Sequence, residues 1–153
     1  MRTLLQNGFA VFARYVRALL LHPVDLGVAA VVEQDGRIVL VRHSYKTGWM
    51  FPGGAVDHNE HPVEALVREL KEEIGLTGSA PPELLASFVR PGVWATNLVL
   101  LYRVREAQFR FKPSWEILEH RLADPLNPPE GTTPAVRRRL QEVFGGAQPA
   151  PRW

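Results

Sequence analysis

Residues 54–76 read GAVDHNEHPVEALVRELKEEIGL and predict a helix with one acidic and one apolar face. On a helix that advances about 100° per residue, Glu69, Glu72 and Glu73 lie within about 100° of one another. An apolar stripe runs beside them, formed by Val63, Leu66, Val67, Leu70 and Ile74. Pro62 suits the first helical position and Gly75 the left-handed residue after the last turn, so the helix is predicted at residues 62–74.

The clustered carboxylates indicate a bound cation. Like charges at these spacings repel by about 0.2–0.5 kcal/mol per pair on an exposed helix. A divalent ion would remove that repulsion, and oxygen ligands without His or Cys favour Mg²⁺, with Mn²⁺ as a possible substitute. The alternative is an ordinary solvated helix face, in which Arg68 and Glu72 form an (i, i+4) pair.

The spacing of the whole segment resembles the Nudix box with no position missing. The pattern is Gly54, five residues, Glu60, seven residues, and then Arg-Glu-apolar-x-Glu-Glu-x-Gly-apolar from Arg68 to Leu76. The resemblance implies that the preceding loop, WMFPGG at residues 49–54, folds over the helix and lends the Gly53 carbonyl to a metal ion.

The same resemblance implies roles for the helix residues. Glu72 and Glu73 would be metal ligands, and Glu69 either a ligand or the base that orients water. Arg68 and Glu60 would hold this cluster in place. Three positions depart from common family usage: His61 at the N-cap, where Glu64 keeps half of a capping box, and His58 and Asn59 in the loop.

Further site residues are weaker predictions. Glu116 is the candidate for an additional metal ligand from a later loop, with Glu119 second. Arg42 and Arg90 end predicted strands and could bind phosphates. Trp49, Trp94 or Trp115 could stack on a base, although packing in the core or anchoring of a loop is the commoner fate of a tryptophan.

Length and composition predict one globular domain. The chain has 153 residues, 46% of them hydrophobic, which is enough for a packed core. It has no cysteine, which excludes disulfides and thiolate sites and fits a cytoplasmic location. A net charge of +2 is too small to indicate nucleic-acid binding. Arg137, Arg138 and Arg139 are expected to form a solvated helix face.

Both ends of the chain are expected to lie outside the domain. Residues 1–22 are predicted to form an appended amphipathic helix, because apolar residues recur at helical spacing while Arg14 and Arg17 interrupt the run. This helix could pack on the domain, pair two subunits as a homodimer, or lie on a membrane surface. It is too charged to span a membrane. The domain is predicted at residues 23–145, followed by a loose tail at residues 146–153.

The order of predicted elements is consistent with an α/β protein. Strands are expected at residues 26–32 and 37–43, joined by a turn at Asp35-Gly36, and then at residues 49–51, 84–90, 96–105 and 115–123. Residues 78–82 are read as a linker and a closing helix begins at Thr133-Pro134. These elements match the α/β/α sandwich with a mixed sheet that the Nudix resemblance implies.

Three functions follow from the resemblance. The leading one is Mg²⁺-dependent hydrolysis of a phosphoanhydride in a nucleoside diphosphate linked to another group: a nucleotide sugar, ADP-ribose, a dinucleotide or a modified nucleoside triphosphate. The first alternative is a catalytically silent module that senses a nucleotide, which is disfavoured because every carboxylate of the box is present. The second is action on the 5′ triphosphate of RNA, which would need a basic surface beside the cleft.

Overall fold

The computed structural model describes residues 24–91 and 96–153. Within these ranges the chain forms the strands and helices β1 Val24–Gln34, β2 Arg37–His43, α1 Pro62–Ile74, β3 Leu76–Gly78, β4 Glu83–Pro91, β5 Thr96–Val104, β6 Gln108–Phe109, β7 Ile117–Ala123 and α2 Pro134–Phe144. The predicted helix at residues 62–74 is confirmed at both ends. The appended helix at residues 1–22, and any dimer contact through it, fall outside the described residues.

A tight hairpin joins the first two strands. Asp35 and Gly36 have φ angles of 50° and 73°, the two positive values that a two-residue hairpin turn with the right twist requires. The predicted turn at these residues is therefore confirmed. β1 is longer than predicted at both ends, whereas β2 has the predicted limits.

The central sheet is mixed, as expected. Its strand order is β4-β5-β1-β2-β7. β1 and β5 are parallel in continuous register from Val24–Thr96 to Val32–Val104, and the other neighbours are antiparallel. A second sheet pairs β3 with β6. Neither strand was predicted, because strands of two or three residues are too short to show an alternating pattern in the sequence.

Alternate residues of β1 pack against the two opposite layers. Val28, Ala30 and Val32 join the core formed with α1, and Ala29 and Val31 join the core formed with α2. This alternation follows from the two-residue period of a strand and produces the predicted α/β/α sandwich.

The segment before α1 runs alongside the diverging strands β1 and β2. Met50 exchanges backbone hydrogen bonds with Val41, and the carbonyls of Pro52 and Gly54 then accept hydrogen bonds from β1. The strand predicted at residues 49–51 is thus present only as isolated bridges. This arrangement places Gly53 and Gly54 between the sheet and α1.

The segment after α2 is docked, which corrects the predicted loose tail. Pro151 O accepts a hydrogen bond from Val89 N, and Trp153 N donates to Val89 O, both at 3.1 Å. Arg139, expected on a solvated face, is fully buried instead. Its guanidinium donates to the carbonyls of Ala150 and Arg152, so the side chain is used to hold this segment.

No helix within the described parts of the chain is long and apolar enough to cross a membrane.

Candidate active site

Both ends of α1 are fixed by the residues that flank it. His61, at the N-cap, accepts a hydrogen bond from Val63 N through Nδ1 at 3.3 Å, so the imidazole takes over the role of the usual hydroxyl. Gly75 ends the helix in the left-handed conformation, with φ 69° and ψ 41°. The carboxylates of the last two turns are thereby held in a defined orientation.

Glu73 is buried against the loop that precedes the helix. Its side chain is 4% exposed, and Oε2 accepts a hydrogen bond from Gly53 N at 2.7 Å. Oε1 lies 3.5 Å from His43 Nε2. Burial raises the pKa of Glu73 to about 8, and the nearby carboxylates of Glu69 and Glu116 add to this effect against the opposing Gly53 hydrogen bond. A cation bound beside Glu73 would therefore stabilise its ionised carboxylate.

His43, Glu73 and Glu116 form a group of possible metal ligands. One donor atom from each of the three residues lies within 4.8 Å of the other two. Tyr45 donates a hydrogen bond from its hydroxyl to Glu116 Oε1 at 2.8 Å. His43 Nδ1 is buried without a hydrogen-bond partner in the described structure.

His43 was not predicted as a ligand, because the ligand set expected from the sequence contained no histidine. The signal that could have found it is the alternation of β2. His43 shares a sheet face with Val39 and Val41, which pack in the core beneath α1, so its side chain points towards the helix. The predicted trio Glu69, Glu72 and Glu73 shares the helix face, but the tight group in the structure combines Glu73 with residues from the ends of two strands.

Arg68 connects the loop before α1 to the middle of the helix. Its guanidinium donates to both carboxylate oxygens of Glu60 at 2.9 and 3.0 Å, to Glu69 Oε1 at 2.8 Å and to the Ala55 carbonyl at 3.0 Å. The hydrogen bonds from Arg68 lower the pKa of Glu60 to about 2. Burial raises the pKa of Glu69, while Arg68 opposes that rise.

Glu69 and Glu72 line a large cleft together with Glu116 and His43. The cleft has a volume of about 1130 Å³ and extends past Gly53 and Gly54 to Arg90 and Asn97 on the far side of the sheet. Its size suits a ligand as large as a nucleotide derivative. The acidic residues are thus at one end of the cleft and Arg90 is near the other.

Two predicted substrate contacts lie elsewhere. Trp49 is 5% exposed and packs in the core beneath α2, where the Arg121 guanidinium lies 4.7 Å from its ring centroid. Arg42 pairs with Glu119 at 3.3 Å and also lies over Trp49, so neither residue lines the cleft. The even-numbered positions of β2 point to the α2 side, which explains the location of Arg42. Trp49 lies outside β2 and reaches the α2 side through its backbone bridge to Thr132. Trp115 is 83% exposed, and Trp94 lies outside the described residues.

The comparisons with known proteins agree with this architecture. The family model for the NUDIX domain matches residues 21–140. A curated RNA pyrophosphohydrolase from Halorhodospira halophila is 39% identical over 84 residues, which cover 55% of this chain and 41% of that protein. The chain therefore matches less than half the length of this relative.

Solved structures show the same fold. The MutT NUDIX hydrolase from Burkholderia pseudomallei superposes with a TM-score of 0.70 at 23% identity, covering 79% of this chain and 98% of that one. The E. coli ORF135 protein gives a TM-score of 0.64 at 28% identity, covering 84% and 95%. Since the family model spans most of the 153 residues and the box lies inside the match, the chain belongs to the NUDIX domain family.

Proposed function

We propose that this protein is a divalent-metal-dependent hydrolase that cleaves the phosphoanhydride bond of a nucleoside diphosphate linked to a further group. The observation that carries the proposal is the buried carboxylate of Glu73, grouped with Glu116 and His43 at the acidic end of a nucleotide-sized cleft. The family membership and the names of the relatives support the same class of reaction.

The residues present fit a divalent ion. Ligand-to-ion distances of about 2.0–2.6 Å place the donor atoms of one coordination sphere up to about 5 Å apart, and the three donors meet that limit. Glu73 and Glu116 supply carboxylate oxygens, and Glu72, which is 61% exposed, can add a further oxygen from the rim of the cleft. We infer Mg²⁺ as the physiological ion, with Mn²⁺ as a substitute that the nitrogen of His43 would favour.

Gly53 is proposed as a backbone ligand. The carbonyls on either side of it, from Pro52 and Gly54, accept hydrogen bonds from β1, while Gly53 N donates to Glu73. The Gly53 carbonyl accepts no backbone hydrogen bond among the described residues, and we infer that it faces the carboxylates.

In the proposed reaction, water attacks one phosphorus of the anhydride, the bond from that phosphorus to the bridging oxygen breaks, and the other phosphate leaves with the bridging oxygen. A divalent ion held by Glu73, Glu116 and His43 would neutralise the diphosphate charge and lower the pKa of the attacking water. Glu69 is the proposed acceptor of the proton from that water, because it lines the cleft and its pKa is raised by burial. Arg68 and Glu60 would hold Glu69 and the loop at Ala55 in position through their hydrogen bonds.

The test is hydrolysis of a panel of nucleotide sugars, ADP-ribose, dinucleotides and modified nucleoside triphosphates, with Mg²⁺ or Mn²⁺. We expect at least one compound to be cleaved, and Glu73→Gln and Glu72→Gln each to reduce kcat by about 100-fold or more. Glu64→Gln is the matched control, since Glu64 is exposed on the same helix. Cleavage of no compound between pH 6 and 9, or equal activity in all three variants, would contradict the proposal.

A second candidate function is removal of pyrophosphate from the 5′ end of RNA. It is favoured by the relatives named RNA pyrophosphohydrolase, including one from Xanthomonas oryzae that is 46% identical over 46 residues. A short 5′-triphosphorylated RNA, compared with the small nucleotides at low and high salt, separates the two. RNA as the substrate requires a higher kcat/KM than any nucleotide and a strong decrease with salt.

A sensing module is the remaining alternative. It predicts that nucleotides stabilise the protein against heat while mass spectrometry finds no product. We expect product, because each carboxylate of the box is present and Glu73 and Glu116 are grouped at the cleft.

A further inference from the structure

The docked segment after α2 forms one wall of the cleft at the end away from the carboxylates. Trp153 lines the cleft, as do Arg90 and Asn97. Its indole packs on Phe88 in an edge-on arrangement, with the ring centroids 5.6 Å apart. The Trp153 side chain is only partly buried, so part of the ring faces the cleft.

The sheet face beneath this segment carries apolar and polar side chains close together. Phe88 pairs with Val99 and Arg90 with Asn97 across the β4–β5 ladder, so the four side chains share one sheet face. Phe88 and Val99 belong to the core on the α2 side, which identifies that face. Trp153 packs on Phe88 from the outer edge of β4, so Arg90 lies between the indole and Asn97 on this sheet face.

The position of Trp153 is fixed from three sides. Its backbone N–H donates to Val89, and its carbonyl accepts a hydrogen bond from Arg138 at 3.2 Å. Arg139 donates to the carbonyls of Ala150 and Arg152 and to Glu142, and its guanidinium lies 4.0 Å from the Phe88 ring centroid. A large aromatic side chain held in this way loses little conformational entropy when a ligand binds.

We propose that Trp153 is a specificity-determining residue that contacts the planar base of the bound nucleotide, with the Asn97 amide available to its polar edge. This inference rests on the proposed function, which places the phosphates at the acidic end of the cleft. An exposed indole face attracts any base by stacking, and an amide further along the same sheet face distinguishes bases by their donors and acceptors.

The test measures the binding of AMP, GMP, CMP and UMP, which contain no phosphoanhydride and therefore are not cleaved. Equilibrium dialysis with Mg²⁺ is carried out on the wild type, Trp153→Ala, Trp153→Leu and the control Trp115→Ala, which changes an exposed tryptophan. We expect both Trp153 variants to weaken the preferred nucleotide by about tenfold and to reduce the differences among bases. Trp115→Ala should bind as the wild type does.

Trp153→Leu guards against a simple loss of structure, since it keeps apolar bulk on Phe88. Its Tm should stay within about 5 °C of the wild type while the aromatic contact is lost. On a cleaved substrate, both Trp153 variants should raise KM and leave kcat within about threefold.

Unchanged dissociation constants and base preference in Trp153→Leu and Trp153→Ala would overturn the inference. A wild type that hydrolyses a nucleotide but binds none of the four monophosphates would overturn it as well and leave the proposed function standing. If the wild type neither binds nor cleaves any nucleotide, both proposals fail.

Discussion

Glu73 is the residue on which the proposed metal site depends most. It is almost fully buried, faces His43 and accepts a hydrogen bond from Gly53 N. A buried carboxylate without a full counter-charge keeps its proton, which is why its pKa rises to about 8. Binding of a divalent ion would therefore release a proton near neutral pH, so metal affinity should increase between about pH 6 and 8.

The stability of the metal-free protein should depend on pH through the same residue. The pKa of Glu73 is raised in the folded state from its ordinary 4.5 to about 8. Its contribution to the free energy of unfolding is thus complete below about pH 4.5 and is lost as the pH rises through 8. Glu73→Gln, which mimics the protonated side chain, should be close to the wild type at pH 5 and more stable at pH 8.5. Thermal melts in EDTA measure this, and parallel pH profiles for the two proteins would contradict it.

The identity of the acidic residues could be predicted from the sequence, but their grouping could not. The 100° rotation per residue places Glu69, Glu72 and Glu73 on one helix face regardless of the rest of the fold. His43 enters the group through the packing of α1 on β2, which depends on contacts far apart in the chain. Arg42 was predicted at the cleft because it ends a strand near it, whereas the alternation of β2 turns its side chain to the α2 side. Trp49 lies outside β2 and is held on the α2 side by its backbone bridge to Thr132.

The loop and helix form one unit in which the backbone of Gly53 is held between β1 and α1. Gly53 has φ 140°, and a Cβ added there would lie 2.2 Å from Val28 O. Pro62 and Gly75 define the helix limits from local chemistry alone, so the sequence predicted them correctly. The close approach of Gly53 to β1 depends on tertiary pairing and could not be derived from local pattern.

Gly53→Ala should lower the free energy of unfolding by about 3 kcal/mol or more, because both the φ angle and the backbone contact exclude a methyl group. Gly36→Ala is the control, since its φ is 73° but nothing lies within 4 Å of the added Cβ. Gly36→Ala should lower the free energy of unfolding by only about 1 kcal/mol. Urea denaturation in EDTA measures both. Equal losses in the two variants would show that Gly53 is not confined as described.

The segment after α2 joins the domain through a buried cation. Arg139 is 0% exposed and pairs with Glu142 at 2.6 Å, and Glu142 also accepts a hydrogen bond from Ala150 N. Proline, glycine and alanine in residues 146–153 indicated a loose tail, and three consecutive arginines indicated a solvent-exposed helix face. Composition could not reveal that backbone carbonyls of the segment accept hydrogen bonds from one of those arginines.

Arg139→Met should destabilise the protein by about 3 kcal/mol, because it leaves the Glu142 carboxylate buried without its partner. It should also release residues 150–153, which hydrogen exchange at the Val89 amide would report, since that amide donates to Pro151. Arg137→Met serves as the control on the exposed side of α2. Slow exchange at Val89 in Arg139→Met would contradict the role assigned to the buried guanidinium.

The most direct test of the central claim is titration of the full chain with Mn²⁺, followed by electron paramagnetic resonance of the free ion. The wild type and Glu64→Gln should bind at least one ion with a dissociation constant of about 1 mM or below, and Glu73→Gln should bind at least tenfold more weakly. A wild type that binds no Mn²⁺ at about 10 mM, or a Glu73→Gln variant that binds as well as the wild type, would contradict a metal site at Glu73.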